Sequence, residues 1–292
     1  DESGYHPLST IFHAVSIYDE VTVAWRKDSF ESTGESASET SAAITIEITG
    51  DYAHLVPRDR SNLAVRAVEL LAKETGTRSG IALRIHKRIP VAGGMAGGSA
   101  DAAAALVAAN ALWGTGLSQA RLLELAGAVG SDVPFALVGH TAIGSGRGNL
   151  LTPVPAQGEY HWVFATQVEG LSTPEVFAVF DELNPKAGGQ PEPDQQLLQA
   201  LRTGDVVALG EALSNDLQPA ALHLAPHLAD TLAVVREAGA LGVIVSGAGP
   251  TVAALAQSKQ HAVTVAGRVA RSAVADQVLV ARGPVAGAQI VS

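Results

Sequence analysis

The chain has 292 residues, 47% of them hydrophobic, and contains no cysteine. That length and apolar content suit two domains with their own cores, while the missing thiols exclude disulfides, zinc–thiolate sites and cysteine nucleophiles. A formal charge of −10 argues against a nucleic-acid binder, and no apolar run approaches the roughly 20 residues of a membrane span, so a soluble cytoplasmic protein with a small-molecule substrate is expected, a monomer or weak homodimer.

In chain order, alternation in Val21–Trp25 and Ile44–Ile48 predicts two strands, joined by a Ser/Thr/Glu-rich stretch from Asp28 to Ser41 that reads as a mobile surface connection. Helical periodicity runs from Leu63 to Glu74, with Asn62 as N-cap and Gly76 as stop. Ile81–His86 alternates as a strand and leads into the segment Ile89-Pro90-Val91-Ala92-Gly93-Gly94-Met95-Ala96-Gly97-Gly98-Ser99. From Ser99, a candidate N-cap, apolar residues at Ala103, Leu106, Val107, Ala109 and Trp113 recur at helical spacing until Gly114 and Gly116. A further helix is expected over Leu122–Val129, stopped by Gly130. The run Gly144–Asn149 reads as a polar glycine turn, and the boundary between domains 1–150 and 151–292 is set near Leu150. Beyond it, Trp162–Ala165 is strand-like, Asn184–Asp194 is an exposed connection, and strands are expected at Val243–Val245, Val252–Leu255 and Val278–Val280, with a helix over Lys259–Ala270. The mixed ordering indicates an α+β protein.

The strand, glycine loop and helix around residues 81–113 carry the first chemical signal. Glycines let main-chain N–H groups approach phosphate oxygens, and the start of a helix favours an anion. A nucleoside triphosphate is therefore the expected ligand, on Pro90, Gly93, Gly94, Met95, Ala96, Gly97, Gly98 and Ser99; the competing reading is a glycine turn with no ligand. The segment is not a P-loop, since Gly98 is followed by Ser99 and Ala100 with no lysine, and the dinucleotide fingerprint is also missing. Ser99 can cap the helix, or contact a phosphate or the Mg²⁺ that bridges phosphate oxygens, and the roles can coexist. Mg²⁺ would arrive with ATP and keep several waters, with no dedicated metal ligands in the chain.

Phosphoryl transfer to an alcohol calls for a carboxylate that orients or deprotonates the nucleophile. Asp132, on a short turn before Val133-Pro134-Phe135, is the candidate, against a plain turn-capping role. Asp101 is expected in a first helical turn, stabilised by the helix dipole and without a catalytic role. Tyr5 and His6 offer an aromatic face and a hydrogen-bonding ring suited to a pyrimidine. His223 and His227 have the spacing of a metal pair, but Pro226 between them and the missing zinc-protease glutamate speak against one.

The segment at residues 89–101 resembles the second motif of the GHMP kinases, with Met95-Ala96 in place of the usual leucine-glycine and Ala100 in place of a second serine. About 150 residues downstream, Val245-Ser246-Gly247-Ala248-Gly249-Pro250-Thr251-Val252-Ala253-Ala254-Leu255 resembles the third motif, a glycine-rich hairpin closing over the active site. The resemblance implies a two-domain fold, with an N-terminal nucleotide-binding domain of ribosomal-protein-S5-domain-2-like type and a C-terminal ferredoxin-like α/β domain. Gly4-Tyr5-His6-Pro7-Leu8, Ser61-Asn62-Leu63 and Gly130-Ser131-Asp132-Val133-Pro134-Phe135 narrow it to members that move the ATP γ-phosphate onto a hydroxyl of a cytidine-diphosphate polyol in non-mevalonate isoprenoid synthesis. Alternatives are a homoserine- or mevalonate-type kinase, or a catalytically silent nucleotide-binding module. By the same resemblance Asp132 is catalytic, and Tyr5, His6 and Phe177 hold cytosine. Gly247 and Gly249 lie on the substrate side, and Asn62 lies beside the nucleotide base; as a bare N-cap, Asn62 would need no ligand. Such kinases carry a strand with a Lys and an Asn ahead of Gly-Tyr-His, so the sequence, opening at Asp1, is expected to be incomplete at its N-terminus.

Overall fold

The computed structural model describes residues 7–26, 43–185 and 191–291. Tyr5 and His6, and the whole stretch from Asp28 to Ser41, lie outside the described residues. In chain order the elements are β1 (Leu8–His13), β2 (Glu20–Trp25), β3 (Ile44–Gly50), α1 (Leu63–Thr75), β4 (Ile81–Lys87), α2 (Gly97–Trp113), α3 (Gln119–Val129), α4 (Val133–Val138), β5 (Thr141–Gly146), β6 (Leu150–Pro153) and β7 (Tyr160–Thr166). There follow α5 (Thr173–Leu183), α6 (Gln195–Thr203), α7 (Val206–Ala212), α8 (Gln218–Leu224), α9 (Leu228–Glu237), β8 (Gly242–Val245), β9 (Val252–Ala256), α10 (Lys259–Ser272) and β10 (Gln277–Gly283).

These elements form two compact units, neither continuous along the chain. One contains described residues 7–16, 90–95, 140–185 and 191–285; the other contains 17–26, 43–89, 96–139 and 286–291.

The unit containing α2 is built on a three-stranded sheet ordered β2-β4-β3, with β2 antiparallel and β3 parallel to β4. Strand β4 turns Ile81, Leu83, Ile85 and Lys87 to its buried face. Helix α1 starts where Asn62 accepts the Ala64 N–H and ends at Gly76 in the left-handed conformation (φ 69°). Its face Ala64, Ala67, Val68 and Leu71 is fully buried. Helix α2 packs against α1, β2, α3 and α4. Ala102, Ala103, Ala105, Leu106 and Ala109 are all fully buried, so apolar residues ring much of this helix, as expected of one enclosed by protein. Its alanines let the neighbouring backbones approach closely.

The other unit holds two antiparallel sheets, β1-β5-β6 and β10-β7-β9-β8. Its main core gathers Val163, Ala165, Leu232, Val245, Val252, Ala254 and Val265. The strands expected at 162–165, 243–245, 252–255 and 278–280 are present, as is the helix from Lys259. The glycine turn expected over Gly144–Asn149 is different: residues through Gly146 belong to β5, and the turn to β6 is confined to residues 147–149. Gly144 is in the strand for close packing, since a Cβ there would lie 2.4 Å from the Phe12 ring of β1.

Candidate functional site

Between Ile89 and Gly97 the backbone turns left-handed three times, at Ala92 (φ 54°), Gly94 (φ 69°) and Ala96 (φ 52°). Glycine adopts this conformation freely, but each alanine costs about 1–2 kcal/mol, and such strain gathers at ligand-gripping loops. A Cβ on Gly94 would lie 2.2 Å from the Ser246 carbonyl oxygen, and Ser246 Oγ donates to the Gly94 carbonyl at 2.9 Å. Gly93 faces Thr251, whose Oγ1 would be 3.0 Å from a Cβ there. The two glycine-rich segments singled out in the sequence are therefore in direct backbone contact.

The second of these segments is the β8–β9 turn, with Gly247 (φ 54°) and Gly249 (φ 82°) at its bends. Asn215 Nδ2 donates to the carbonyls of Val245 and Gly247, both at 2.8 Å, and Gln218 Oε1 accepts the Val245 N–H at 2.9 Å. Ala248 of this turn joins Val176 of α5 and Ala220 of α8 in a small buried cluster. Phe177, the next residue of α5, is half-buried.

Helix α2 begins three residues earlier than the sequence suggested. Its N-cap is Ala96, which offers no capping side chain, and the Ala100 N–H donates to the Ala96 carbonyl at 2.9 Å. Ser99 is thus the third helical residue, buried, and not the N-cap. Side chains of Asn62, Ser118, Asp194, Asp205 and Ser258 accept N–H groups at the starts of α1, α3, α6, α7 and α10, whereas α2, like α4, α5, α8 and α9, starts without a side-chain cap. The first N–H groups of a helix have no intrahelical acceptor, so those of Gly97, Gly98 and Ser99 are poised for an external one. Gly98 is exposed, is not left-handed, and a Cβ there would meet only Leu63 Cδ1, at 3.6 Å.

Asn62 is 4% exposed and is the N-cap the sequence indicated; its Nδ2 also donates to the Pro57 carbonyl at 2.9 Å. Asp132 immediately precedes α4, half-buried, and its carboxylate makes no capping bond. Ser131 Oγ donates to Asp132 Oδ1 at 3.4 Å. Burial pushes the Asp132 carboxyl above the ordinary carboxylate range, opposed in part by that serine, which is the direction a general base requires. His223 lies in the last turn of α8 and His227 precedes α9; among the described residues no cluster of three or more metal-ligating side chains is found.

Asp101 departs from expectation. It is the fifth residue of α2, past the first turn, and only 2% exposed. Its Oδ2 accepts from Lys87 Nζ at 2.8 Å, and the same ammonium donates to Asp19 Oδ2. Asp19 Oδ1 accepts the N–H groups of Arg88 and Ile89 at 2.6 and 2.9 Å. The dipole argument failed because burial dominates: it drives the Asp101 carboxyl up to about 7, against the pull of Lys87 and with a further push from Asp19. One sequence signal for this cluster was present, a lysine in the inward register of Ile81, Leu83 and Ile85. Its partners, 68 and 14 residues away, carried none.

Comparison with known proteins agrees with this architecture. Residues 62–140 match the GHMP kinases N terminal domain, and residues 197–275 match the GHMP kinases C terminal. The chain is 52% identical to a 4-diphosphocytidyl-2-C-methyl-D-erythritol kinase of Thermobifida fusca, over 99% of this chain and 91% of that one. It is 49% identical to the protein of that name from Streptomyces coelicolor, over 98% and 92%. A crystal structure of 4-(cytidine 5'-diphospho)-2C-methyl-D-erythritol kinase superposes with a TM-score of 0.75 at 29% identity, covering 97% of this chain and 92% of that one. Homoserine kinase from Cytophaga hutchinsonii, at 18% identity and a TM-score of 0.73 over 95% and 90%, shares the fold.

Proposed function

The chain belongs to the GHMP kinases, in the branch of the 4-diphosphocytidyl-2-C-methyl-D-erythritol kinases, and from that membership we propose how it works on this substrate. It transfers the γ-phosphoryl group of ATP to a hydroxyl of 4-diphosphocytidyl-2-C-methyl-D-erythritol, giving the 2-phosphate and ADP in the non-mevalonate isoprenoid route. Near-full-length identity to relatives of that name carries the reading. The family's N- and C-terminal matches lie on either side of the sequence boundary near Leu150, so we keep 1–150 and 151–292 as a division by family match, although the two compact units described above cross it.

The segment Pro90–Ser99 cradles the triphosphate through main-chain N–H groups, with Gly93, Gly94, Met95, Ala96, Gly97 and Gly98 bringing backbone close. The left-handed turns and the side-chain-free cap of α2 support this. ATP brings Mg²⁺, which offsets charge on the phosphates. Asp132 accepts the proton of the acceptor hydroxyl as that oxygen attacks the γ-phosphorus and the bond to the ADP oxygen breaks. Its desolvated environment suits a base. Phe177, with Tyr5 and His6, holds cytosine; Asn62 lies beside the adenine; Gly247 and Gly249 shape the substrate side. The enzyme works in the cytoplasm as a monomer or weak homodimer.

The test is ADP release with ATP and a panel of acceptors. Turnover should require the cytidine-diphosphate polyol. Preference for homoserine or mevalonate would select another GHMP activity, and nucleotide binding without turnover on any acceptor would select a silent binding module.

A further inference from the structure

The Asp132 carboxylate is placed by backbone. It makes no capping bond, and its contact with Ser131 Oγ is long, at 3.4 Å. Its seat is therefore that of α4, a helix of six residues joined to it through the Asp132 carbonyl, which accepts the Ala136 N–H at 3.0 Å. Val133 and Leu137 hold this helix to the core of its unit. The far end needs its own anchor, because the last carbonyls of a helix have no intrahelical donor. That anchor is the segment after β10. The Ala288 N–H donates to the Ala136 carbonyl at 3.0 Å, and the Gly287 N–H donates to the Val138 carbonyl at 3.2 Å. Ala288 packs against the same core as Val133 and Leu137. Glycine on both sides permits so close an approach. A Cβ on Gly139 would lie 2.1 Å from the Gly287 nitrogen, and one on Gly287 would lie 2.5 Å from the Leu137 carbonyl oxygen and 2.6 Å from that of Ala136. Gly287 is not left-handed, so glycine serves here for its contact with α4 and not for a turn.

We propose that Gly287 and Ala288 are positioning residues for phosphoryl transfer, fixing the end of α4 and, through this short helix, the place of the Asp132 carboxylate. The inference rests on the assignment of Asp132 as the group that accepts the proton of the acceptor hydroxyl. A methyl on Gly287 would start roughly 1 Å inside ordinary contact with two main-chain oxygens of α4, and a misplacement of about 1 Å at a reacting group costs on the order of a hundredfold in rate. The oxygens belong to backbone, so no side chain can swing away to absorb the clash.

The experiment compares the full chain with Gly287→Ala, Asp132→Asn and the variant carrying both, well below each melting transition. It reads kcat with the cytidine-diphosphate polyol, KM for that acceptor, and ATP affinity by titration calorimetry. Gly287→Ala should lower kcat roughly ten- to hundredfold, while the ATP dissociation constant stays within about twofold of the parent. In the Asp132→Asn background the same change should cost less than about twofold, since the group it displaces is already disabled. Ala288→Pro withdraws the N–H given to the Ala136 carbonyl and should show a smaller loss with the same pattern; it decides the matter if Gly287→Ala does not fold. A segment that only completes the fold would lower the melting temperature and leave kcat of the folded protein within about threefold of the parent, or would multiply its loss onto that of Asp132→Asn. Either result overturns the proposal. Parental turnover by Asp132→Asn would instead overturn the base assignment, and this inference with it.

Discussion

Gly98→Ala separates a glycine needed by the ligand from a glycine needed by the fold. Gly94 cannot do so: it is left-handed, and a Cβ there would lie 2.2 Å from the Ser246 carbonyl. Gly97 is crowded too, with Ile89 Cγ2 at 3.0 Å from the added carbon. At Gly98 the new methyl meets only Leu63 Cδ1, at 3.6 Å, which is ordinary contact. Alanine is favoured over glycine inside a helix by about 0.5–1 kcal/mol, and somewhat less in its first turn. The variant should therefore keep or slightly raise its melting temperature. If a phosphate oxygen sits against this backbone, the methyl displaces it and weakens a charge-assisted hydrogen bond of about 1.5–3 kcal/mol. That corresponds to a roughly ten- to hundredfold rise in the ATP dissociation constant, measured by titration calorimetry beside a thermal melt. A well-folded Gly98→Ala binding ATP within about threefold of the parent would refute the phosphate assignment; a marked fall in melting temperature would refute the packing argument.

Asp132→Asn removes charge and basicity at nearly constant size, so kcat should fall roughly 10²–10⁴-fold with little change in ATP affinity, whereas turnover within about threefold of the parent would remove this carboxylate from the reaction. Because burial raises the Asp132 carboxyl, the acidic limb of the parent's kcat profile should lie above the usual carboxylate range and vanish in the residual activity of the variant. Phe177→Ala should raise KM for the cytidine-diphosphate substrate more than for ATP, and the uridine counterpart should be a poor substrate of the parent; equal use of both would discard the base assignment. His13 is half-buried with its ring packed against Tyr160 and Trp162 and its Nε2 shielded from water, and this desolvation lowers its pKa from 6.5 to about 4. Below pH 6.5 the unfolded chain takes up a proton that the folded one refuses, so up to about 3 kcal/mol of stability is lost between pH 6.5 and 4. His13→Phe should flatten that part of the stability profile in denaturant titrations, and an unchanged slope would contradict the burial argument.

The strand, loop and helix around residues 81–113 were legible because their signals are local: alternation, clustered glycines and an alanine-rich run. The same logic misplaced the start of α2, because Ser99 is a favoured capping residue and nothing local says that left-handed Ala96 takes the cap position instead. Strand β1 was overlooked since its residues are all half-buried and show no clear alternation. In β5, Gly144 resembled a turn residue while its actual requirement is the Phe12 ring on another strand. Asp101 was misjudged for a related reason, since its character is set by Lys87 and Asp19, which reach it only through the folded chain.

The pairing of β1 with β5 also has a consequence during synthesis. His13 and Thr141 are 128 residues apart. At about 5–20 residues per second, the earlier strand leaves the ribosome on the order of ten seconds before its partner exists. Through that interval its half-apolar backbone edge is open to pairing with other nascent chains. Rapid expression at high temperature should therefore divert this chain into aggregates at a step preceding any test of its final stability, and slower translation should recover soluble protein.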